Sequence, residues 1–264
     1  MDNEITKLIV LCSSAMLAGI VNSVAGGGTL LTFPALVWTL GTSVGALVGA
    51  NATSTTVLFP GSLAAVWGYR RELANQQRWI VHLIIPSLIG GLLGTWLVVS
   101  QPDKVFELLV PWLILLATFL FLLQPMITRW TGIGQPHQQP SPIVFAGIIG
   151  FQFLVALYGG YFGAGIGILM LSSLALMGVG DIHQMNALKS LLASAINGMS
   201  VVVFLAYGKV NWTYAGPMIV AAIAGGFLGA SVARRLNKNL VRYSVVAIGF
   251  VLSVYYFARP FLST

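Results

Sequence analysis

The sequence has very few charged residues and hardly any acidic ones. Only 7% of its 264 residues are Asp, Glu, Lys or Arg, and six residues are acidic. Apolar residues make up 57% of the chain, so too little polar surface exists to cover a soluble globule. A mean hydropathy of +0.90 agrees with this exclusion. We therefore predict an all-α polytopic membrane protein.

Cysteine is almost absent too. Cys12 is the single cysteine, so no intrachain disulfide can form and no second thiol is available for a metal site. The composition indicates neither a metal nor another cofactor. A net charge of +7 would suggest nucleic acid in a soluble protein, but these basic residues cluster in short loops, where retention in the cytoplasm explains them. We expect the lipid bilayer, and not nucleic acid, as the surrounding partner.

The positions of the six acidic residues restrict the substrate. All of them lie at the chain end, in loops or at the ends of apolar segments, so no carboxylate is available deep in a span to bind a cation or relay a proton. This distribution favours an anion as the ligand, held by helix N-termini, amides, hydroxyls and a cation. The six are Asp2, Glu4, Glu72, Asp103, Glu107 and Asp181.

Hydrophobic periodicity and breaks predict about ten helical segments. The Pro- and Gln-rich stretch from Gln124 to Pro142 is the one long polar connection and divides the chain into similar halves. We assign 1–125 to a first transmembrane repeat, 126–141 to a linker and 142–264 to a second repeat. The predicted segments are 5–25, 29–40, 43–69, 79–99, 105–124, 142–160, 163–177, 182–208, 212–233 and 239–258.

The two halves have matching glycine patterns, which indicates a duplication. Each half has five segments, an odd number, so the second repeat must be inverted relative to the first. A shift of 137 residues aligns Gly26, Gly28, Gly41, Ala50 and Gly61 with Gly163, Gly165, Gly178, Ala187 and Gly198.

The distribution of basic residues agrees with inverted repeats. If successive segments cross the membrane in alternating directions, eight basic residues lie on one face of the membrane and four on the other, with Lys189 counted apart. The richer face is cytoplasmic by the positive-inside rule, so both termini should lie outside the cytoplasm. The eight are Arg70, Arg71, Arg78, Arg129, Arg234, Arg235, Lys238 and Arg242, and the four are Lys7, Lys104, Lys209 and Arg259.

A glycine-rich break interrupts the first uncharged region. The run from Leu8 to Tyr69 contains no Asp, Glu, Lys, Arg or His, yet Gly26, Gly27 and Gly28 disfavour helix within it. The next segment, 29–40, is too short to cross a hydrocarbon core of about 30 Å comfortably, and it either crosses or re-enters. Backbone freed in this way must face protein or a cavity, which favours a substrate site. The alternative is close helix packing through small residues.

Each repeat also carries a polar stripe on its third segment. Helical spacing places Asn51, Ser54, Thr55 and Ser62 on one face of the first copy. Such residues either face a binding site or join helices by hydrogen bonds. Asn186, Lys189, Ser190 and Asn197 form the second stripe.

Lys189 is the only basic residue predicted well within a span. Asp181 and Gln184 resemble a capping box that starts its helix near 182, which places Lys189 about 10 Å along that helix. Its ammonium either snorkels to the interface or pairs with a transported anion.

The stretch GIVNSVAGGGTLLTFPAL from Gly19, with the following GALVGANATSTT, resembles the first-half signature of the TauE/SafE sulfite exporter family, also called the toluene sulfonate uptake permease family. GGYFGAGIGILML and NALKS resemble its second copy, although the second motif lacks a full glycine triplet. The resemblance runs from about residue 8 to the C-terminus. It implies movement of sulfite, sulfonates or other small organic anions across a bacterial plasma membrane.

Together these patterns predict a secondary transporter, in the exporting direction, of sulfite, an organosulfonate or a similar small anion, and not an enzyme. An uptake permease, a channel and a membrane-embedded enzyme are the alternatives, and a homodimer is one option for its assembly. The anion would be held near the midplane where the breaks at 26–28 and 163–167 meet. The predicted binding residues are Asn22, Gly26, Gly27, Gly28, Thr29, Asn51, Ser54, Thr55, Gly163, Gly165, Gly167, Asn186, Lys189 and Ser190.

Overall fold

The computed structural model describes residues 2–24, 26–41, 43, 45–74, 76–131, 141–177, 179, 182–232 and 238–262. Within these ranges the regular structure is entirely helical. The helices are α1 (Asp2–Val24), α2 (Thr29–Leu40), α3 (Ala46–Gly68), α4 (Arg70–Leu73), α5 (Gln77–Ser100), α6 (Asp103–Thr131), α7 (Pro142–Tyr161), α8 (Ile166–Leu176), α9 (Ile182–Ala206), α10 (Trp212–Val232) and α11 (Lys238–Leu262).

The helices have the length and surface of membrane spans. By length and composition, α1, α5, α6, α7, α9 and α10 can each cross a bilayer. Large apolar side chains cover their outer surfaces, and tryptophans near helix ends are at least half exposed, as expected at the two membrane interfaces. The all-α polytopic fold predicted from the sequence is confirmed. These tryptophans are Trp38, Trp67, Trp96, Trp130 and Trp212.

The helix boundaries correct several details of the sequence prediction. The bounds of α2 agree with the predicted segment, but α3 begins three residues late because Gly45 adopts a left-handed conformation, φ +83°, before its first turn. The short α4 was not predicted. Helix α6 continues to Thr131, so the first residues of the predicted linker at 126–141 are helical. Residues 132–140 of that linker, and Asp181 of the expected capping box, lie outside the described ranges.

Corresponding helices of the two repeats run antiparallel, which confirms that the repeats are inverted. Along α3 and α9, Phe59 faces Gly198 while Tyr69, just after α3, packs with Ala187. Residue numbers therefore increase along α3 while those of the contacting residues in α9 decrease, so the two helices run in opposite directions. Helices α6 and α11 behave alike, since Trp112 meets Phe257 at a centroid distance of 5.1 Å and Phe119 meets Phe250 at 6.0 Å. A twofold axis in the membrane plane produces this arrangement.

The fourth of the five predicted segments in each repeat packs into the other repeat. Helix α10 lies against α1 and α3, and α5 lies against α7 and α9. The core therefore consists of two three-helix bundles, α1–α3–α10 and α7–α9–α5, which meet where α3 packs against α9. The pair α6 and α11 packs on the outside against the short helices α8 and α2.

Glycines bring these helices into backbone contact. A methyl group placed on Gly226 of α10 would overlap the carbonyl group of Gly61 in α3, and one placed on Gly160 of α7 would overlap the carbonyl group of Gly91 in α5. Close approach of this kind replaces the hydrophobic effect as the source of helix association in lipid.

We expect Gly226→Ala to lower the melting temperature of the detergent-purified protein, because overpacking of a tight contact costs about 1–3 kcal/mol. Gly216→Ala is the matched control in the same helix, since no heavy atom lies within 4 Å of its added methyl group. Circular dichroism of both variants checks the difference. Equal melting temperatures would show that the α3–α10 contact contributes little to stability.

Candidate functional site

The two helix breaks have the same local structure. At the first, α1 ends at Val24, and the N–H of Gly26 donates to the carbonyl oxygen of Val21 at 3.1 Å. At the second, the N–H of Gly163 donates to the carbonyl oxygen of Tyr158 at 3.2 Å. Both glycines have positive φ, +74° and +82°, a conformation that side chains disfavour. The glycine pattern therefore specifies how each first helix ends.

The structure brings the two breaks together in the core. A methyl group placed on Gly26 would lie 2.5 Å from the Cα of Gly167, and one placed on Gly163 would lie 3.6 Å from Oγ1 of Thr29. Gly27, Gly28 and Thr29 are buried. Because α2 and α8 both begin here, their N-terminal N–H groups and partial positive charges converge on one junction.

Lys189 lies beside the first break and is fully enclosed. Its side chain is 1% exposed, so in this conformation it does not snorkel to the interface. Nζ donates to the carbonyl oxygens of Asn22 at 3.1 Å and Ser23 at 3.0 Å, and to Oδ1 of Asn186 at 3.1 Å. These carbonyls end α1, where the helix dipole is negative. The ammonium thus uses its three donors on neutral oxygens.

Asn51 has the corresponding position in the other repeat. Its Nδ2 donates to the carbonyl oxygen of Tyr161, the last residue of α7, at 3.0 Å. Its Oδ1 is buried and has no hydrogen-bond partner among the described residues. The third helix of each repeat therefore caps the broken first helix of the other, with a charged group at one break and a neutral amide at the other.

Side chains that the sequence analysis missed join the breaks to the bundles. Oγ1 of Thr32 lies 2.6 Å from Oγ of Ser54 and donates to the carbonyl oxygen of Gly28 at 3.3 Å. The hydroxyl of Tyr158 donates to the carbonyl oxygen of Ala164 at 2.8 Å. Thr32 lies one turn after Gly28, and this spacing was the available sequence signal.

The predicted binding residues fall into two groups and do not form one cluster. Asn22, Asn186 and Lys189 surround the end of α1, whereas Asn51 lies beside the end of α7. Because α3 and α9 are antiparallel, Asn51 and Lys189 lie toward opposite ends of α3. The predicted glycines and Thr29 lie between them. Ser54, Thr55 and Ser190 are buried on the stripes, and Oγ of Ser190 has no partner among the described residues.

Two cavities of similar size open on opposite faces of the bundle. One, of about 320 Å³, is lined by Tyr69, Arg71 and His183 at the end of α3 and the start of α9. The other, of about 330 Å³, is lined by Ala46, Lys209 and Asn211 at the start of α3 and the end of α9. Since His183 and Ala46 are equivalent in the two repeats, the cavities are related by the same pseudo-symmetry.

Inverted repeats, short helices that start at a common core junction and cavities on opposite faces are typical of polytopic membrane transporters. Comparison with known families identifies the family to which the chain belongs. The profile described as "Sulfite exporter TauE/SafE" matches residues 11–256. The chain belongs to this family of membrane transporters, which confirms the resemblance given by the glycine motifs.

Curated bacterial relatives cover almost the whole chain. A "Probable membrane transporter protein" of Haemophilus influenzae is 30% identical over 254 residues, covering 96% of this chain and 95% of the relative. "Probable membrane transporter protein YfcA" of Escherichia coli is 28% identical, covering 92% and 87%. "Probable membrane transporter protein YunE" of Bacillus subtilis is 23% identical, covering 92% and 96%. No solved structure matches the chain.

Proposed function

We propose that the protein is a secondary transporter that exports sulfite, an organosulfonate or a similar small anion across the bacterial plasma membrane. The observation that carries this proposal is the meeting of the two breaks, where the N-termini of α2 and α8 converge beside the buried Lys189. Helix N-termini are effective anion ligands because unpaired N–H groups and the helix dipole act together.

The anion is held at the junction by N–H groups near Gly27, Gly28 and Thr29 from α2, and near Gly165 and Gly167 from α8. In this proposal a small anion contacts these central residues directly. Asn51 and the polar stripes line or shape the surrounding path, because residues at opposite ends of α3 cannot all touch one small ligand.

Lys189 supplies the positive charge of the site. An ammonium held only by neutral oxygens is costly in a low-dielectric interior, so a bound anion at the neighbouring break is favourable to it. The site is then cationic when empty and close to neutral when loaded. This difference favours binding of the anion and lowers the cost of reorienting the loaded form.

Alternating access follows from rocking of the bundles around the fixed junction, with one cavity open at a time. Uptake in the opposite direction and channel conduction are the competing functions within the same fold. Saturable flux with counterflow in proteoliposomes distinguishes a carrier from a channel. A membrane-embedded enzyme is a weaker alternative, since the curated relatives bear transporter names.

Ligand-dependent thermal stability tests the proposal directly. A ligand that binds only the folded protein raises its melting temperature. At a ligand concentration a hundred times Kd, the free energy of unfolding increases by about 2.7 kcal/mol. We expect sulfite or an organosulfonate to stabilise the purified protein in a panel with taurine, sulfoacetate and simple carboxylates. An anion transporter would be contradicted if only cations stabilised the protein, or if none of these anions raised its melting temperature at any concentration.

The proposed orientation has a separate test. In a Cys12→Ser background, a single cysteine at Ser100, the last residue of α5, should react with an impermeant maleimide added outside the cell. A cysteine at Thr131, at the end of α6, should react only when the cytoplasmic face is open to the reagent. The eight-to-four distribution of basic residues predicts this result. The reverse pattern would place both termini in the cytoplasm.

A further inference from the structure

The cavity at the end of α3 carries more charge than its counterpart. Its lining includes Arg70, Arg71, Glu72 and His183, together with Ser231 at the end of α10. Arg70 is held over the ring of Trp67 at 4.9 Å and donates to the Trp67 carbonyl oxygen at 2.9 Å. Two guanidinium groups against one carboxylate make this mouth net positive. Guanidinium groups bind the oxygens of sulfonate-like anions in pairs.

Tyr69 closes the floor of this cavity. It is the first residue after α3, its N–H donates to the carbonyl oxygen of Ala65 at 3.0 Å, and its side chain is 3% exposed. Its ring packs with Ala187 of α9, with Leu73 and Ala230 beside them. The tyrosine therefore lines the cavity on one side and covers the start of α9 on the other.

The residues around this cavity are neighbours in sequence of those around the buried ammonium. Ala187, which packs with the Tyr69 ring, precedes Lys189 by two residues in α9. Ser23, whose carbonyl oxygen accepts from Lys189, lies against Gly229, and the next residue of α10, Ala230, lines the cavity. Helix α10 therefore connects the cavity with the cap on α1.

No tyrosine is among the described residues that line the opposite cavity, where Gly208 and Lys209 follow the end of α9. Tyr207 is the first residue after α9, and its N–H donates to the carbonyl oxygen of Val203 at 3.1 Å. Its side chain is 50% exposed and does not line that cavity. Within the described parts of the chain, only the cavity at the end of α3 is therefore covered by a tyrosine.

We propose that the cavity at the end of α3 is an antechamber in which Arg70 and Arg71 hold a small oxyanion, and that Tyr69 is the gate between it and Lys189. The antechamber is a second anion site, distinct from the junction of the breaks. Only the destination of the anion rests on the proposed function. The gate opens when the Tyr69 ring leaves Ala187.

Protection of single cysteines tests the antechamber without measuring transport. In a Cys12→Ser background, Ser231→Cys reports on this cavity and Ser43→Cys on the opposite one. The probe is methanesulfonate, which does not react with thiols, and the label is N-ethylmaleimide, which is uncharged. At constant ionic strength set with chloride, methanesulfonate should slow labelling at position 231 and not at position 43.

Adding Arg70→Gln and Arg71→Gln should raise the half-protecting concentration about tenfold or more, since charged hydrogen bonds are lost. Equal protection of both reporters, or an unchanged concentration in the double variant, would overturn the antechamber. If protection persists while proteoliposomes show no saturable anion flux, the antechamber stands and the proposed transport function fails.

The gate has its own reporter. Ala187 is buried and packs with Tyr69, so Ala187→Cys should label slowly in the parent and in Tyr69→Phe, and about tenfold faster or more in Tyr69→Ala. An unchanged rate at Ser43→Cys in Tyr69→Ala shows that the fold is intact. Equal labelling of Ala187→Cys in all three backgrounds would overturn the gate. Faster labelling at both reporters would do so as well, because it would show that Tyr69 serves only stability.

Discussion

Lys189→Gln is expected to keep the protein folded and to weaken anion binding by about 1.5–3 kcal/mol, or about ten- to a hundredfold in affinity. The amide of glutamine can still donate to the carbonyl oxygens of Asn22 and Ser23, so the end of α1 stays capped. The positive charge beside the junction is lost. Isothermal titration with the anion that stabilises the parent protein measures the difference.

Three further variants separate charge from capping at this position. Lys189→Arg keeps the positive charge but replaces the compact ammonium with a larger, planar guanidinium group, so partial activity is expected. Lys189→Met removes both functions and leaves the carbonyl oxygens of α1 unpaired, which should lower the melting temperature. Lys209→Gln removes a cation from the opposite cavity and serves as the control. If Lys189→Gln bound anions as the parent does, Lys189 would only cap α1, and the N–H groups near Gly28 and Gly165 would carry recognition.

Gly26→Ala is expected to abolish transport and to lower the melting temperature sharply. Gly26 has φ +74°, which costs an alanine about 1–2 kcal/mol by itself. In addition, the new methyl group would lie 2.5 Å from Cα and 2.9 Å from the backbone nitrogen of Gly167. Both atoms belong to the backbone, so the two breaks must separate to accommodate it. Transport of the stabilising anion in proteoliposomes and thermal unfolding measure the two effects.

Gly208 provides the matched control for this prediction. Its φ is +61°, positive like that of Gly26, but no heavy atom lies within 4 Å of an added methyl group. Gly208→Ala should therefore show the conformational cost alone, about 1–2 kcal/mol, with transport retained. Equal losses in the two variants would mean that backbone strain, and not contact between the breaks, explains the effect.

Much of the fold was predictable because membrane sequences encode it locally. The bounds of α2 followed from the glycines before it and Gly41 after it. The inversion of the repeats followed from the odd number of segments in each half, and the distribution of basic residues agreed with it. Helix α4 and the extension of α6 to Thr131 were missed. Both lie in polar sequence outside the membrane core, where hydropathy carries little information.

The site was less predictable because its contacts are distant in sequence. Glycine spacing predicted that the two breaks meet, and Gly26 does contact Gly167. No local pattern indicates that Lys189 caps a helix end 166 residues earlier, or that Asn51 reaches Tyr161. The sequence predicted that Lys189 either snorkels to the interface or pairs with a transported anion. The free carbonyl groups that any interrupted helix leaves at its end were a third possible partner, which neither prediction included.

During synthesis, α5 leaves the ribosome before α7 and α9 exist. Its glycine face, which includes Gly91 and Gly94, has no partner until the second half of the chain follows. A nascent chain that ends at Thr131 is therefore an assembly intermediate with an unfilled helix surface in lipid. When α10 emerges, it completes the bundle that α1 and α3 began. Neither bundle can therefore be completed until both halves of the chain have been inserted into the membrane.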